Sequence, residues 1–241
     1  FDFSHETVVL GGVTMSVKVA HVRLCCSRKF YLRAYMRESQ EMVFDAHERA
    51  FACFGGIAAR GIYDNMKTAV DAVFLGKERA FNRRFLLMSD HYGFAPVACT
   101  PAAGWEKGQV EKQVGTARER FFKPRLHFQT LEELNGWLEA ECARWCAASA
   151  HPERRDLSVE AAFALERPAL APLREAFDGF HEREATASAT CLVNFDRNKY
   201  SVMSEAARRV VQVRAYATRI VIRCGGRIVA DHARQFGRDK T

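Results

Sequence analysis

The chain has 241 residues, 48 % of them apolar and 27 % charged, with a formal net charge of +7. That is enough for one large domain or two smaller ones, each with a real core. No run of about 18 apolar residues offers a membrane-spanning helix, and no basic stretch followed by an apolar one offers a signal peptide.

Residues 1–37 predict three antiparallel strands in meander order. Thr7–Leu10 runs into Gly11-Gly12, a two-residue hairpin signal. Val13 to Cys26 forms the second strand, and Lys29 to Met36 the third after a turn at Ser27-Arg28. Ser39 stands where a helix cap belongs. Met42, Val43, Ala46, Ala50, Phe51 and Phe54 then recur at three- and four-residue steps, and Gly55-Gly56 ends the helix. Ile57–Tyr63 predicts a buried strand parallel to an earlier one, because it is reached through a helix. Helices are expected around 66–73 and 77–91, a strand over Phe94–Cys99, a loop over 100–104 and a helix over Gly108–Phe122.

Thr130 and Glu133 form a capping box that opens a helix with a stripe at Leu131, Leu134, Leu138, Cys142 and Trp145. A connector with one short helix near 158–166 follows. Beyond Ala187 come five short strands with turns at Asp196-Arg197-Asn198 and Gly225-Gly226. The prediction is an α/β fold: a mixed sheet of three antiparallel strands plus two parallel, flanked by helices, over 1–148. A connector spans 149–185, and a small C-terminal β-barrel spans 186–241, since closure removes exposed edges.

Residues 186–241 hold 11 Lys+Arg against 4 Asp+Glu, which is the whole of the +7, while the first 185 residues balance at 25 each. A basic module beside a neutral one points to a polyanion partner. The plainer reading is a solvated basic surface. The eight cysteines contain no Cys-x-x-Cys pair and no zinc-ligand spacing. They read as small buried hydrophobes in a reducing cytoplasm.

Three short motifs carry the chemistry: Phe1-Asp2-Phe3, Tyr63-Asp64-Asn65 and Lys107-Gly108-Gln109-Val110-Glu111. Each offers one carboxylate, and 46 residues separate Asp64 from Glu111. Hard divalent cations prefer oxygen ligands and keep waters, leaving room for phosphate oxygens and a nucleophile. Two such ions make the usual machine for phosphodiester chemistry. The first and fourth strands can lie side by side, which would let Asp2 and Asp64 meet at a sheet edge. Lys107 and Arg118 share the helix face of Glu111, and Lys67 and Lys112 are further phosphate-contact candidates. In the basic tail the DNA-binding candidates are Arg197, Lys199 and Arg214. Taken singly, an Asp after a strand is more often an ordinary turn residue, and the Glu111 helix reads equally as an amphipathic helix with surface ion pairs.

Together these pieces resemble the IstA-type insertion-sequence transposases of the DDE transposase and retroviral-integrase superfamily, whose catalytic core is RNase H-like. The likeness rests on Phe1-Asp2-Phe3, Gly11-Gly12, Tyr31–Tyr35, Phe51–Gly56, Ile62–Lys67 and Lys107–Glu111. It continues through Asn194–Val202 and Val229–Arg234 in the tail. The resemblance implies a DDE-type polynucleotidyl transferase with Asp2, Asp64 and Glu111 as catalytic metal ligands. Two Mg²⁺ ions, or Mn²⁺ in their place, would serve cleavage at element ends and attack of the freed 3′-hydroxyl on target DNA. It also implies double-stranded DNA as partner at element ends and target, a homo-oligomer on DNA, an AAA+ ATPase helper and no membrane. The location would be the bacterial cytoplasm, at the nucleoid. Phe1 heads the chain and the first Met is Met15, so an upstream helix-turn-helix region is expected. Two other readings stay open: a catalytically inactive fragment acting only in DNA binding or assembly, and an RNase H-like nuclease for RNA–DNA hybrids.

Overall fold

In a computed structural model of the chain, the structure describes residues 1–63, 70–73, 79–98 and 114–241. The chain divides into two compact units. One comprises residues 1–39 and 46–177, the other residues 40–45 and 178–241.

In the first unit, β1 (Asp2–Leu10), β2 (Val13–Arg23) and β3 (Phe30–Tyr35) form the expected meander. Gly11 and Gly12 both take positive φ, 55° and 79°, the geometry of the two-residue turn whose twist matches the strands. Register follows: Leu10 pairs Val13 and Asp2 pairs His21. Helix α1 (Gln40–Phe54) ends at Gly55 in the left-handed conformation, φ 68°. Ser39 occupies its cap position, but no side-chain hydrogen bond is made there and its Oγ is buried without a partner among the described residues.

Strand β4 (Arg60–Tyr63) pairs in parallel with β7 (Ala95–Ala98). Between them the structure departs from the predicted helices. β5 (Val70–Val73) and β6 (Arg79–Phe81) make an antiparallel pair, and α2 (Arg83–Tyr92) starts only at Asn82, whose side chain accepts from Arg84 N. Valine at both ends of 70–73 favours strand. The Asn82 cap sets where the helix can begin. Residues 114–121 are helical (α3). The predicted start of that helix at Gly108 and the loop at 100–104 lie outside the described residues.

A strand not foreseen, β8 (His127–Phe128), runs parallel to β1 and closes the sheet order β3-β2-β1-β8. Two residues are too few for a periodic signal. Helix α4 (Leu131–Ala148) opens on the predicted box: Glu133 N donates to Thr130 Oγ1 at 3.1 Å, and Gln129 N donates to Glu133 Oε2 at 2.9 Å. The short α5 (Val159–Glu166) is capped by Ser158.

Strand alternation divides β1–β3 between two cores. Val8, Leu10, Val17, Val19, Phe30, Leu32 and Ala34 pack with Ala117, Phe121, Leu134 and Leu138 from α3 and α4. Val22 and Tyr31 pack with Ala50, Phe54 and Phe163 from α1 and α5, with Phe1 at the margin. The odd positions of β1 therefore begin on the α1 side and the even positions face α3.

The second unit is an antiparallel sheet in the order β14-β13-β12-β9 with a separate hairpin, β10-β11. The strands are β9 (His181–Thr186), β10 (Leu192–Phe195), β11 (Asn198–Ser201), β12 (Val210–Ala215), β13 (Arg219–Cys224) and β14 (Arg227–Ala233). β9 was not among the predicted strands: its sequence, His-Glu-Arg-Glu-Ala-Thr, shows no apolar alternation because five of its six residues are exposed. Hairpin and sheet share one core of Val193, Phe195, Tyr200, Val211, Val213, Ile220, Ile222 and Val229. The Asp196-Arg197 turn has φ 49° and 63°. Buried Asn198 holds it, donating to Asp196 O, Gln235 O and Gly237 O at 3.0–3.2 Å.

The expectation that the cysteines are buried holds for Cys142, Cys146 and Cys224 but fails for Cys25, Cys26 and Cys53, which are exposed. Cys25 and Cys26 sit at the turn after β2, where no core reaches them. No described helix is long and apolar enough to cross a membrane.

Candidate functional site

The Phe-Asp-Phe motif splits across the two faces of β1. Phe1 stacks on His47 with ring centroids 4.6 Å apart, and Phe3 meets Tyr35 edge-on at 6.4 Å. Asp2 takes the opposite face. Its Oδ1 accepts from Phe3 N at 2.8 Å, and its cross-strand partner is His21. The Phe1 nitrogen donates to Ile62 O at 2.9 Å. The strand carrying Asp2 thus meets the strand that ends at Tyr63.

Tyr63 is anchored in the α1 layer. It is 1 % exposed, its hydroxyl lies 2.8 Å from His47 Nε2, and its ring meets Phe85 edge-on at 4.9 Å. Burial pushes its phenol well above the ordinary range, so it serves as a neutral hydrogen-bonding wedge. Asp64 and Glu111 lie outside the described residues, as do Lys67, Lys107 and Lys112.

Behind Asp2 the same face of β1 carries Ser4 and Glu6, both buried. Ser4 Oγ lies 2.9 Å from His21 Nε2. The His21 Nδ1 is buried with no partner among the described residues. Burial foremost, with the positive charge of Arg118 in support, lowers the His21 pKa to about 3. The ring opposite Asp2 is therefore neutral, which adds no positive charge beside that carboxylate.

Arg118 grips Glu6 through a fork: Nε donates to both carboxylate oxygens at 3.1–3.2 Å and Nη2 to Oε1 at 3.0 Å. This ties α3 to β1. Arg118, a candidate DNA contact by helix spacing, has its guanidinium engaged by a buried acid. Glu6, Ser4 and His21 were not among the predicted site residues. The signal for the first two was present: polar residues at positions 2, 4 and 6 alternate with the aromatics at 1 and 3.

In the second unit Arg197 and Lys199 are exposed. Arg214 is half-buried: Nε donates to Glu182 Oε2 at 2.7 Å, and its guanidinium lies 4.2 Å over the Phe180 ring. The Glu182 carboxylate raises its pKa further. Of the three tail candidates, two are exposed with no ion pair among the described residues and one is held by neighbours.

The all-carboxylate donor set expected for Mg²⁺ is testable at Asp2, an oxygen donor suited to a hard cation. Among the described residues, no three His, Cys, Asp or Glu gather around one point.

The arrangement of a mixed sheet between helices, followed by a small β unit, is that of an integrase-like fold. A chain of the cryo-EM structure of a simian T-cell lymphotropic virus intasome in complex with the PP2A regulatory subunit B56 gamma superposes with a TM-score of 0.51. It does so at 11 % identity, over 96 % of this chain and 73 % of that one. Residues 172–241 match the family described as Mu transposase, C-terminal domain.

Sequence relatives narrow the class. A transposase of Aminobacter aminovorans is 47 % identical over 238 residues, 99 % of this chain and 47 % of the relative. The transposase for insertion sequences IS1326/IS1353 of Pseudomonas aeruginosa is 46 % identical over 98 % of the chain and 46 % of the relative. The transposase for insertion sequence element IS21 of Pseudomonas aeruginosa is 32 % identical over 88 % of the chain and 54 % of the relative. The chain is homologous, over nearly all of its length, to insertion-sequence transposases. It spans about half the length of the curated relatives it matches.

Proposed function

We propose that this chain is the catalytic region of an insertion-sequence transposase, with an RNase H-like core and a C-terminal DNA-binding β-barrel. It acts as a DDE-type polynucleotidyl transferase on double-stranded DNA. The observation that carries this reading is the hydrogen bond from Phe1 to Ile62 at 2.9 Å. It sets the Asp2 strand beside the strand that leads into Asp64. Tyr63, at the end of β4, is anchored in the α1 layer.

In this reading Asp2, Asp64 and Glu111 hold two Mg²⁺ ions. When bound, such a pair activates the attacking water or 3′-hydroxyl and stabilises the leaving oxygen. The chain's own residues position these acids. The neutral His21 leaves the negative charge of Asp2 uncompensated by the ring. Arg118 and Glu6 fix α3, the helix downstream of Glu111, against β1. Lys67, Lys107 and Lys112 contact phosphates near the acids, and Arg197 and Lys199 do so from the tail. A homo-oligomer on DNA and an AAA+ ATPase helper belong to the same proposal, by likeness to the relatives' class.

The test is strand transfer by the full-length protein in Mg²⁺. Asp64→Asn and Glu111→Gln are each expected to abolish transfer while DNA binding survives. Full activity in either variant would overturn the reading. Salt-sensitive DNA binding with no metal-dependent cleavage by the unaltered full-length protein would favour the inactive-fragment alternative.

A further inference from the structure

At the far end of the β1–β8 edge the first unit has a hollow of about 330 Å³, lined by Arg120, Lys123, Arg125, His127, Phe128 and Trp137 among others. Among the described residues no carboxylate lines it. Its position is fixed by backbone bonding: Val9 N donates to Leu126 O at 2.9 Å, and Gly11 N donates to Phe128 O at 3.0 Å. The aromatic wall is likewise braced. Trp137 lies 5.8 Å from Phe128 and meets Phe121 edge-on at 6.4 Å.

The cations at its rim are available. Arg120 and Arg125 are exposed, and neither has an acidic partner among the described residues. Among the described residues Lys123 pairs only with Glu119, at 2.6 Å, and both side chains are more than half exposed. Such a surface pair is worth little and yields readily to a phosphate. Exposed cations beside a half-buried aromatic wall form a combination that holds an unpaired nucleotide: phosphate on the guanidinium groups, base against the ring. The volume sits at the small end of the range of about 300–1,000 Å³ for ligand sites.

We propose that this hollow is a second nucleic-acid subsite that takes one unpaired nucleotide of a DNA strand. Arg120 and Arg125 hold its phosphates, and Trp137 stacks on its base. The inference rests on the DNA-processing reading above, and none of the residues named in the hollow is one of the three acids or belongs to the basic tail. Of the candidate DNA contacts from the sequence, the described ones, Arg118, Arg197, Lys199 and Arg214, do not line it. Its signal, Arg-x-x-Lys-x-Arg with Trp137 in the second turn of the next helix, is legible only once β8 folds that segment beside α4.

The test uses the full-length protein carrying Asp64→Asn and a fluorescent oligothymidine strand, with affinity read by anisotropy across a salt series. Each single-strand phosphate contact contributes about 0.7 to the slope of log affinity against log salt. Arg120→Ser with Arg125→Ser is therefore expected to flatten that slope by about 1.4 and to weaken binding. Both positions are exposed, so the fold is untouched. A strand bearing 5-iodouracil is expected to cross-link to Trp137 on irradiation, mapped by peptide mass spectrometry. An unchanged slope, a cross-link elsewhere, or equal displacement by heparin and by an acidic peptide would overturn the proposal. Failure of the catalytic reading would register separately, as strand transfer retained by Asp64→Asn.

Discussion

The nitrogen of Phe1 donates to the carbonyl oxygen of Ile62 at 2.9 Å, across a gap of 61 residues in sequence. Around this bond the rings of Phe1 and Tyr63 lie 6.0 Å apart, and both sit within 6 Å of the His47 ring. One face of the junction is a packed aromatic layer. The other presents Asp2. The aromatics thus fix the backbone that positions the acid, and damage to them should register at the site.

Gly61 gives the first prediction. A Cβ there would lie 2.4 Å from Tyr63 Oη and 2.7 Å from Tyr63 Cε2. The Tyr63 ring is fully enclosed and hydrogen-bonded to His47, so it has nowhere to move. Gly61→Ala should destabilise by about 1–3 kcal/mol through overpacking, read by urea denaturation. Stability unchanged within about 0.5 kcal/mol, the usual range for a surface change, would show that β4 is not wedged in this way.

The Glu6–Arg118 fork gives the second. The Glu6 side chain is 5 % exposed and that of Arg118 is 44 % exposed. Arg118→Ala strands a buried carboxylate and should cost about 1–3 kcal/mol. Glu6→Leu combined with Arg118→Leu should cost less than Arg118→Ala alone, because no unpaired charge is left. Equal or larger loss in the double variant would mean that the pair itself, not the orphaned acid, sets the stability.

Arg234 is predicted to be the most sensitive charged residue of the second unit. Its guanidinium donates to Glu41 Oε1 at 2.7 Å, to Asp196 Oδ2 at 3.0 Å and to Tyr216 O at 2.6 Å. The Arg234 and Glu41 side chains are 2 % and 5 % exposed. Removing one partner of such a buried pair costs about 3–5 kcal/mol. Arg234→Ala should lower the unfolding midpoint sharply, and Arg234→Lys should recover only part of it, since an ammonium cannot reproduce the fork.

The thiols should separate by burial. Burial pushes the Cys146 thiol up to about 11, and Cys142 rises well above its usual range for the same reason. A raised pKa keeps the inert protonated form as pH rises to about 9. In the native protein iodoacetamide should modify Cys25 and Cys26, while Cys142 and Cys146 react only after denaturation. Labelling of Cys142 or Cys146 at the rate of Cys25 would contradict the packing of α4.

Much of the first unit is legible in the sequence because its signals are local. Gly11-Gly12 fixes a hairpin and thereby the register that pairs Asp2 with His21. Thr130 and Glu133 mark the start of α4 as the structure has it. What is not legible depends on long-range company. β8 exists only because β1 offers Val9 and Leu10 as partners. β9 is mostly exposed and held by pairing to β12, so no apolar pattern betrays it. At the site, spacing found Arg118 beside the Glu111 face but not its buried partner, since Glu6 comes from a strand 112 residues away. Ser39 holds a cap position without capping, because position alone does not aim a hydroxyl.

The central claim is that three acidic segments distant in sequence converge on one pair of metal ions. Replacing Mg²⁺ by Fe²⁺ in the full-length protein and adding peroxide generates hydroxyl radicals at the bound metal, which cut the nearest backbone. The account predicts three clusters of cleavage, near Asp2, near Asp64 and near Glu111, all suppressed by excess Mg²⁺ and all lost together in Asp64→Asn. Cleavage confined to one segment, or cuts that persist unchanged in Asp64→Asn, would contradict it.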